Sequence, residues 1–255
     1  MIFLRSLAFW LLVSLMTIPV GILLALFILF PLSTRFFTVK LWWTAFMWLA
    51  RRVVGVEMRV EGRENIPEKP VLVLSKHESA WETVGLQSIF APAVFVLKKE
   101  LLKVPFFGWG LASLRMIAID RNAGRKALQQ MLEQGRNRLD SGIWVIVFPE
   151  GTRVPPGEQV RYKSGAAYLA LKTGSPVLPV AHNAGDVWRK KAFRIRPGVI
   201  TVSIGPAIAT QGLKDTQLNA AVESWIEAEM RRIAPHRYPA VAPLPPAPPE
   251  HDDSL

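Results

Sequence analysis

The 255-residue chain carries 31 Lys and Arg against 20 Asp and Glu, a formal charge of +11, and contains no Cys. Without Cys there are no disulfides, no thiolate nucleophile and no Cys-ligated zinc or iron–sulfur site, and 4 His argue against a histidine-rich metal centre. Half of the residues are hydrophobic, which suits one compact domain joined to a membrane-seeking part; the charge suits anionic lipid, phosphorylated substrates or nucleic acid without choosing among them.

Residues 6–34 include no charged side chain, about 29 positions against the roughly 20 that cross a bilayer as a helix. The run is too long for a signal-peptide core and lacks a small-x-small cleavage site, so it reads as a retained membrane segment, kinked at Pro19 and Gly21. Residues 36–50 are rich in Trp and end at Arg51-Arg52, the composition of a segment that lies at the interface or dips in and returns. A single span and a re-entrant hairpin both fit. Arg35, Lys40, Arg51 and Arg52 outnumber Arg5, so the positive-inside rule places the chain after residue 35 on the cytoplasmic face of the inner membrane.

Beyond residue 52, strand and helix patterns alternate. Apolar runs at 53–60, 71–74, 94–97, 116–119, 143–148 and 176–180 read as strands, and 194–197 with 199–204 as paired strands at the sheet edge. Helical spacing marks 83–90, 125–139 and 166–172, and an amphipathic helix near the end carries Leu218, Val222, Trp225, Ile226, Met230 and Ile233, with Thr216 as its cap. The expected fold is a layered α/β domain over 53–238, with a central mixed sheet and flanking helices. Membrane-anchoring helices over 1–52 precede it, and a disordered Pro-rich tail over 239–255 ends the chain.

Three strand ends carry chemistry. The first leads into Ser75-Lys-His-Glu-Ser-Ala-Trp-Glu82, where a helix starting near Glu78 brings the Glu82 carboxylate within reach of the His77 imidazole. A carboxylate on one ring nitrogen fixes the tautomer and leaves the other as a base. Ser79 reads as a cap or packing residue, since no nucleophile elbow surrounds it. The second strand ends at Asp120-Arg121 and the third at Glu150-Gly-Thr-Arg153, with Lys163-Ser-Gly165 beyond. Arg121 and Arg153 offer forked donors to phosphate, Gly151 and Thr152 offer backbone and hydroxyl donors, and Glu150 holds either Arg153 or a substrate hydroxyl.

These blocks resemble the glycerolipid acyltransferases, most closely their bacterial 1-acyl-sn-glycerol-3-phosphate branch, over roughly residues 50–210. His77 and Glu82 match a His-x4-Asp block; Lys99-Glu-Leu101, Pro105-Phe-Phe-Gly108 and Arg121 match the second block. Phe-Pro-Glu-Gly-Thr-Arg recurs residue for residue at 148–153, and Pro176 to Val180 matches the fourth block. The chain departs from the family in having Glu82 for Asp and Lys76 where Asn commonly precedes the His.

The resemblance implies transfer of a fatty acyl group from acyl-CoA or acyl-carrier protein to the 2-hydroxyl of lysophosphatidic acid. His77 is then the base and Glu82 its orienter. Arg121, Glu150, Gly151, Thr152 and Arg153 bind the glycerol phosphate, assisted by Lys163, and backbone N–H groups near Gly151 receive the oxyanion. Membrane lipids are the expected partners, with no nucleic acid, no metal and no cofactor beyond the donor. Another lyso-lipid acceptor, such as lyso-ornithine lipid, is the alternative within the class. A non-catalytic membrane-bound lipid or nucleic-acid binder is the alternative outside it.

Overall fold

Strands that are buried on both faces belong in the middle of a covered, largely parallel sheet, and the apolar runs behave accordingly. The computed structural model describes residues 1–120 and 123–238; Arg121 and the tail at 239–255 lie outside the described residues. Seven strands are described: β1 (Val56–Glu61), β2 (Leu72–Ser75), β3 (Ala93–Lys98), β4 (Ile117–Ile119), β5 (Trp144–Val147), β6 (Val177–His182) and β7 (Gly198–Ile204). They form one sheet in the order β1-β7-β6-β2-β5-β3-β4. Every neighbouring pair is parallel except β6 with β7, so the sheet is mixed. Every residue of β2, β5 and β6 is buried.

Register decides where the loops emerge. Leu74 of β2 lies beside Val147 of β5, and Ser75 lies beside Val180 of β6. Three adjacent parallel strands therefore end at one edge, delivering residues 76–81, 148–153 and 183–185 to the same place. Open α/β sheets bind their ligands at this carboxyl edge. The flanking helices are α3 (Glu82–Ile89), α4 (Phe107–Ser113), α5 (Arg125–Asp140), α6 (Ser164–Thr173), the short α7 (Ala184–Val187) and α8 (Asp215–Ile233). Helix α8 puts Leu218, Val222, Ile226 and Met230 into the core.

Several local expectations need correcting. Residues 50–54 continue the preceding helix as a π turn closed by Gly55 at φ 72°, so β1 starts at Val56. Residues 194–197 form no strand, and β7 is interior, between β1 and β6. Thr216 sits inside the first turn of α8; the end is closed by Gln217, whose Oε1 accepts the Lys214 N–H at 2.9 Å.

The N-terminal segments form a helical hairpin. Helix α1 (Ile2–Leu26) continues through Pro19 as one element, and α2 (Leu32–Leu49) returns after Pro31. Pairings of Phe9 with Phe46 and of Trp42 Nε1–H with Thr17 Oγ1 show that the two helices are antiparallel. The stretch Ile2–Leu29 is apolar and long enough to cross a membrane, with Leu26 and Leu29 outward at the bend.

The hairpin also belongs to the domain. Phe9, Trp10 and Phe46 cluster with Trp188, Ser6 Oγ accepts the Ile195 N–H, and Ser113 Oγ donates to Leu24 O at 2.7 Å. At the crossing of α1 and α4, a Cβ on Gly21 would stand 2.5 Å from Phe106 O. Gly21→Ala is therefore expected to cost about 1–3 kcal/mol, read as a lowered denaturant midpoint in detergent.

Candidate active site

Ser79, Ala80, Trp81 and Glu82 have the Ser-x-x-Glu pattern of a capping box, but the structure forms only its Glu half, in a turn ahead of the helix, the N-cap of which is Trp81. Ser79 Oγ accepts the Trp81 N–H at 3.1 Å, while both Glu82 oxygens accept the Ser79 N–H, at 3.0 and 2.8 Å. Helix α3 thus begins at Glu82, not near Glu78. Glu82 Oε1 meets His77 Nδ1 at 2.5 Å, so a loop rather than a helical turn brings the pair together. This turn explains how the longer Glu serves where the family uses Asp. One carboxylate holds the Ser79 N–H and orients the imidazole. Ser79 is fully buried with its hydroxyl engaged in the turn before α3, a packing role rather than a helix cap, since the N-cap is Trp81.

The loop after β5 fixes His77 from the other side. His77 N–H donates to Glu150 Oε1 at 3.0 Å, and His77 O accepts the Val154 N–H at 2.7 Å. The imidazole stacks on Phe148, with centroids 4.0 Å apart and planes within 12°. Glu150, expected among the substrate ligands, is 2% exposed and turns inward. Its carboxylate holds the His77 main chain and faces Lys76.

Burial sets the electrostatics. It pushes the Glu82 carboxyl up to about 7 against the pull of Arg153 and of the Ser79 N–H, and Glu150 to about 7 against that of Lys76. Burial also lowers His182, the neutral imidazole of which donates Nε2–H to Lys76 O at 2.8 Å and accepts the Ala184 N–H on Nδ1. Glu78, 1% exposed, is pushed up to about 8 by burial; Oε2 accepts the Gly185 N–H and Oε1 has no hydrogen-bond partner.

A carboxyl raised on folding favours the native state below its unfolded pKa, and that contribution is lost as pH rises through the folded value. Glu78→Gln should therefore raise the melting temperature at pH 9 relative to wild type. The gain, on the order of 2–4 kcal/mol, should vanish by pH 4, as thermal unfolding at both pH values would show.

An apolar cavity of about 630 Å³ runs from this site between the hairpin, α3 and α4. Val13, Leu24, Trp43, Phe46, Val84 and Leu111 are among its walls; His77, Gly151, Thr152, Arg153 and Lys190 line its polar end. Arg153 is set by Nε–H donation to Ser79 O at 2.9 Å, and Lys190 Nζ donates to Arg153 O at 2.8 Å.

Gly151 adopts φ 69°, where a Cβ would stand 2.8 Å from Lys163 Nζ, so Lys163 backs the loop instead of lining the cavity. The Gly151 N–H closes a turn onto Phe148 O at 3.0 Å. The structure thus assembles His77, Gly151, Thr152 and Arg153 at the cavity, puts Glu82 behind His77 and Glu150 and Lys163 off the lining, and leaves Arg121 outside the described residues. Sequence reasoning missed that buried Lys76 faces both Glu150 and Glu227. A Glu within the apolar stripe of α8, between Ile226 and Met230, was the available signal.

Comparison with known proteins agrees with this architecture. The acyltransferase family model matches residues 57–183. The 1-acyl-sn-glycerol-3-phosphate acyltransferase of Pseudomonas aeruginosa is 45% identical over 237 residues, 91% of this chain and 92% of the relative. The protein of the same name from Limnanthes douglasii is 30% identical over 73% of this chain and 67% of its own. The crystal structure of the 1-acyl-sn-glycerophosphate (LPA) acyltransferase from Thermotoga maritima superposes with a TM-score of 0.73 at 25% identity, covering 90% of this chain and 95% of that one. The chain belongs to the acyltransferase family, as an enzyme of the 1-acyl-sn-glycerol-3-phosphate acyltransferase type.

Proposed function

We propose that the enzyme transfers a fatty acyl group from an acyl-CoA or acyl-carrier-protein thioester to the 2-hydroxyl of 1-acyl-sn-glycerol-3-phosphate, giving phosphatidic acid. The observation that carries this reading is the His77–Glu82 pair standing where an apolar cavity meets Arg153 and Lys190. An acyl chain fits the apolar length, and a phosphate fits the cations.

In this mechanism Nδ1–H donates to Glu82, leaving Nε2 to take the acceptor hydroxyl proton as its oxygen attacks the thioester carbonyl. The tetrahedral intermediate collapses by breaking the C–S bond, and the imidazolium returns its proton to the departing thiolate. Attack is direct: the chain has no Cys, and Ser79 is buried with its hydroxyl committed. Arg153 steadies the phosphate, with Thr152 as a further donor and Arg121 as a family-based candidate. The hairpin holds the site at the leaflet where the acceptor resides, with the thioester arriving from the cytoplasm.

The test presents radiolabelled acyl-CoA and acyl-carrier protein to purified protein with lysophosphatidic acid, lyso-ornithine lipid and lysophosphatidylcholine. Labelled phosphatidic acid as the main product supports the reading. Preferential acylation of a phosphate-free acceptor would overturn it.

A further inference from the structure

Acyl transfer by His77 and Glu82 has no direct use for a second set of ionisable side chains, which lies immediately behind the imidazole. Lys76 is 0% exposed, Glu150 and Glu227 are 2%, and Tyr162 is 3%. Lys76 Nζ lies 2.7 Å from Glu227 Oε1 on α8 and 3.8 Å from Glu150 Oε1, with a longer approach to Glu158 O at 3.5 Å. The Tyr162 hydroxyl donates to Glu227 Oε1 at 3.1 Å. Glu150 Oε1 in turn accepts the His77 N–H. One ammonium thus serves two buried carboxylates, and the carboxylate that touches the catalytic segment is the more distant one.

This arrangement links α8 to the reacting edge through charge. A buried carboxyl without a cation takes up a proton, and an ionised acceptor holds a backbone N–H more strongly than a neutral one. Lys76 stabilises the ionised form of Glu150, whereas Glu227 opposes it by like charge and by drawing the ammonium toward itself. On its other side the same main chain is tied by His182, which donates to Lys76 O. Holding His77 from both sides requires Glu150 to remain an acceptor at full strength.

We propose that Lys76 is a positioning residue for acyl transfer: its buried ammonium favours the ionised form of Glu150, Glu150 holds the His77 main chain at the cavity, and Glu227 sets how much of that charge Glu150 receives. The inference rests on the reading of His77 as the base. It yields shifts of opposite sign. Removing the cation impairs Glu150 at neutral pH and restores it only at higher pH; removing the competing carboxylate extends Glu150 function to lower pH. The charged and titratable groups facing Glu150 are Lys76 after β2, Glu227 on α8 and Tyr162 ahead of α6.

The experiment compares full-length wild type, Lys76→Met, Glu227→Gln, Glu150→Gln and the Glu150→Gln/Glu227→Gln double variant in detergent. Three quantities are read: hydrogen exchange at the His77 amide, kcat and KM across pH, and melting temperature. Lys76→Met is expected to speed exchange at His77 at least about tenfold at pH 7 and to move the acidic limb of kcat upward by about one pH unit or more. Glu227→Gln, nearly isosteric, should move the limb down with exchange no faster than wild type, and should have no effect on the Glu150→Gln background. KM should hold, because neither Lys76 nor Glu227 lines the cavity.

Loss of thermal stability with an unchanged His77 amide, or limb shifts of the same sign in Lys76→Met and Glu227→Gln, would overturn the proposal. Should Lys76→Met fail to fold, the sign of the Glu227→Gln shift and its dependence on Glu150 still decide. Failure of wild type to acylate lysophosphatidic acid would defeat the acceptor reading instead, while amide exchange continues to report on Lys76.

Discussion

His77→Ala is expected to lower kcat by about 10²–10⁴-fold while leaving acceptor KM within a few-fold of wild type. The loss is confined to kcat because the imidazole matters most when the hydroxyl proton is moving, whereas the cavity walls, Arg153 and Lys190 remain to bind substrate. Folding should survive, since the main-chain bonds to Glu150 and Val154 do not need the side chain, and Glu82, on losing the imidazole, keeps the Ser79 N–H and can take up a proton. Steady-state kinetics on the folded variant would check this. A loss in KM alone would make His77 a binding residue.

Glu82→Gln is expected to lower kcat by roughly 10²-fold through the imidazole tautomer. The carboxylate accepts from His77 Nδ1 on one oxygen and from Ser79 N–H on both. An amide cannot reproduce that pattern. With its oxygen toward His77, its NH₂ confronts the Ser79 N–H; flipped, the NH₂ donates to Nδ1 and puts the ring proton on Nε2, where a base is needed. In wild type the rate should fall as pH drops through about 7, where Glu82 takes up its proton and ceases to be a good acceptor. The Gln variant should lose the Glu82 part of that limb and keep the part set by Glu150, which is also raised to about 7, and rate–pH profiles of the two proteins would test it. The shorter Glu82→Asp keeps the charge and is expected to lose only about tenfold.

Much of this was legible in the chain. Apolar runs marked the strands around residues 72, 144 and 177, because a strand covered on both faces has no polar alternation to confuse it. The His77–Glu82 pairing was readable, but the helix starts at Glu82 rather than near Glu78 because Ser79 to Trp81 form a turn ahead of α3. The placement of Glu150 was not legible. A carboxylate next to Gly, Thr and Arg reads as a ligand, and only the register of β2 against β5 turns it toward the His77 backbone. Nor does local sequence reveal that Lys76 reaches Glu227, 151 positions away. That pairing depends on where α8 packs.

Direct attack by an acceptor that His77 has deprotonated is tested by adding acyl thioester to the wild-type enzyme without acceptor. Thiol release and the intact mass of the protein are then followed. Slow background thiol release, no gain of an acyl mass, and rapid release once lysophosphatidic acid is added are expected. Stoichiometric thiol release with an acylated protein, formed before any acceptor is present, would contradict direct attack.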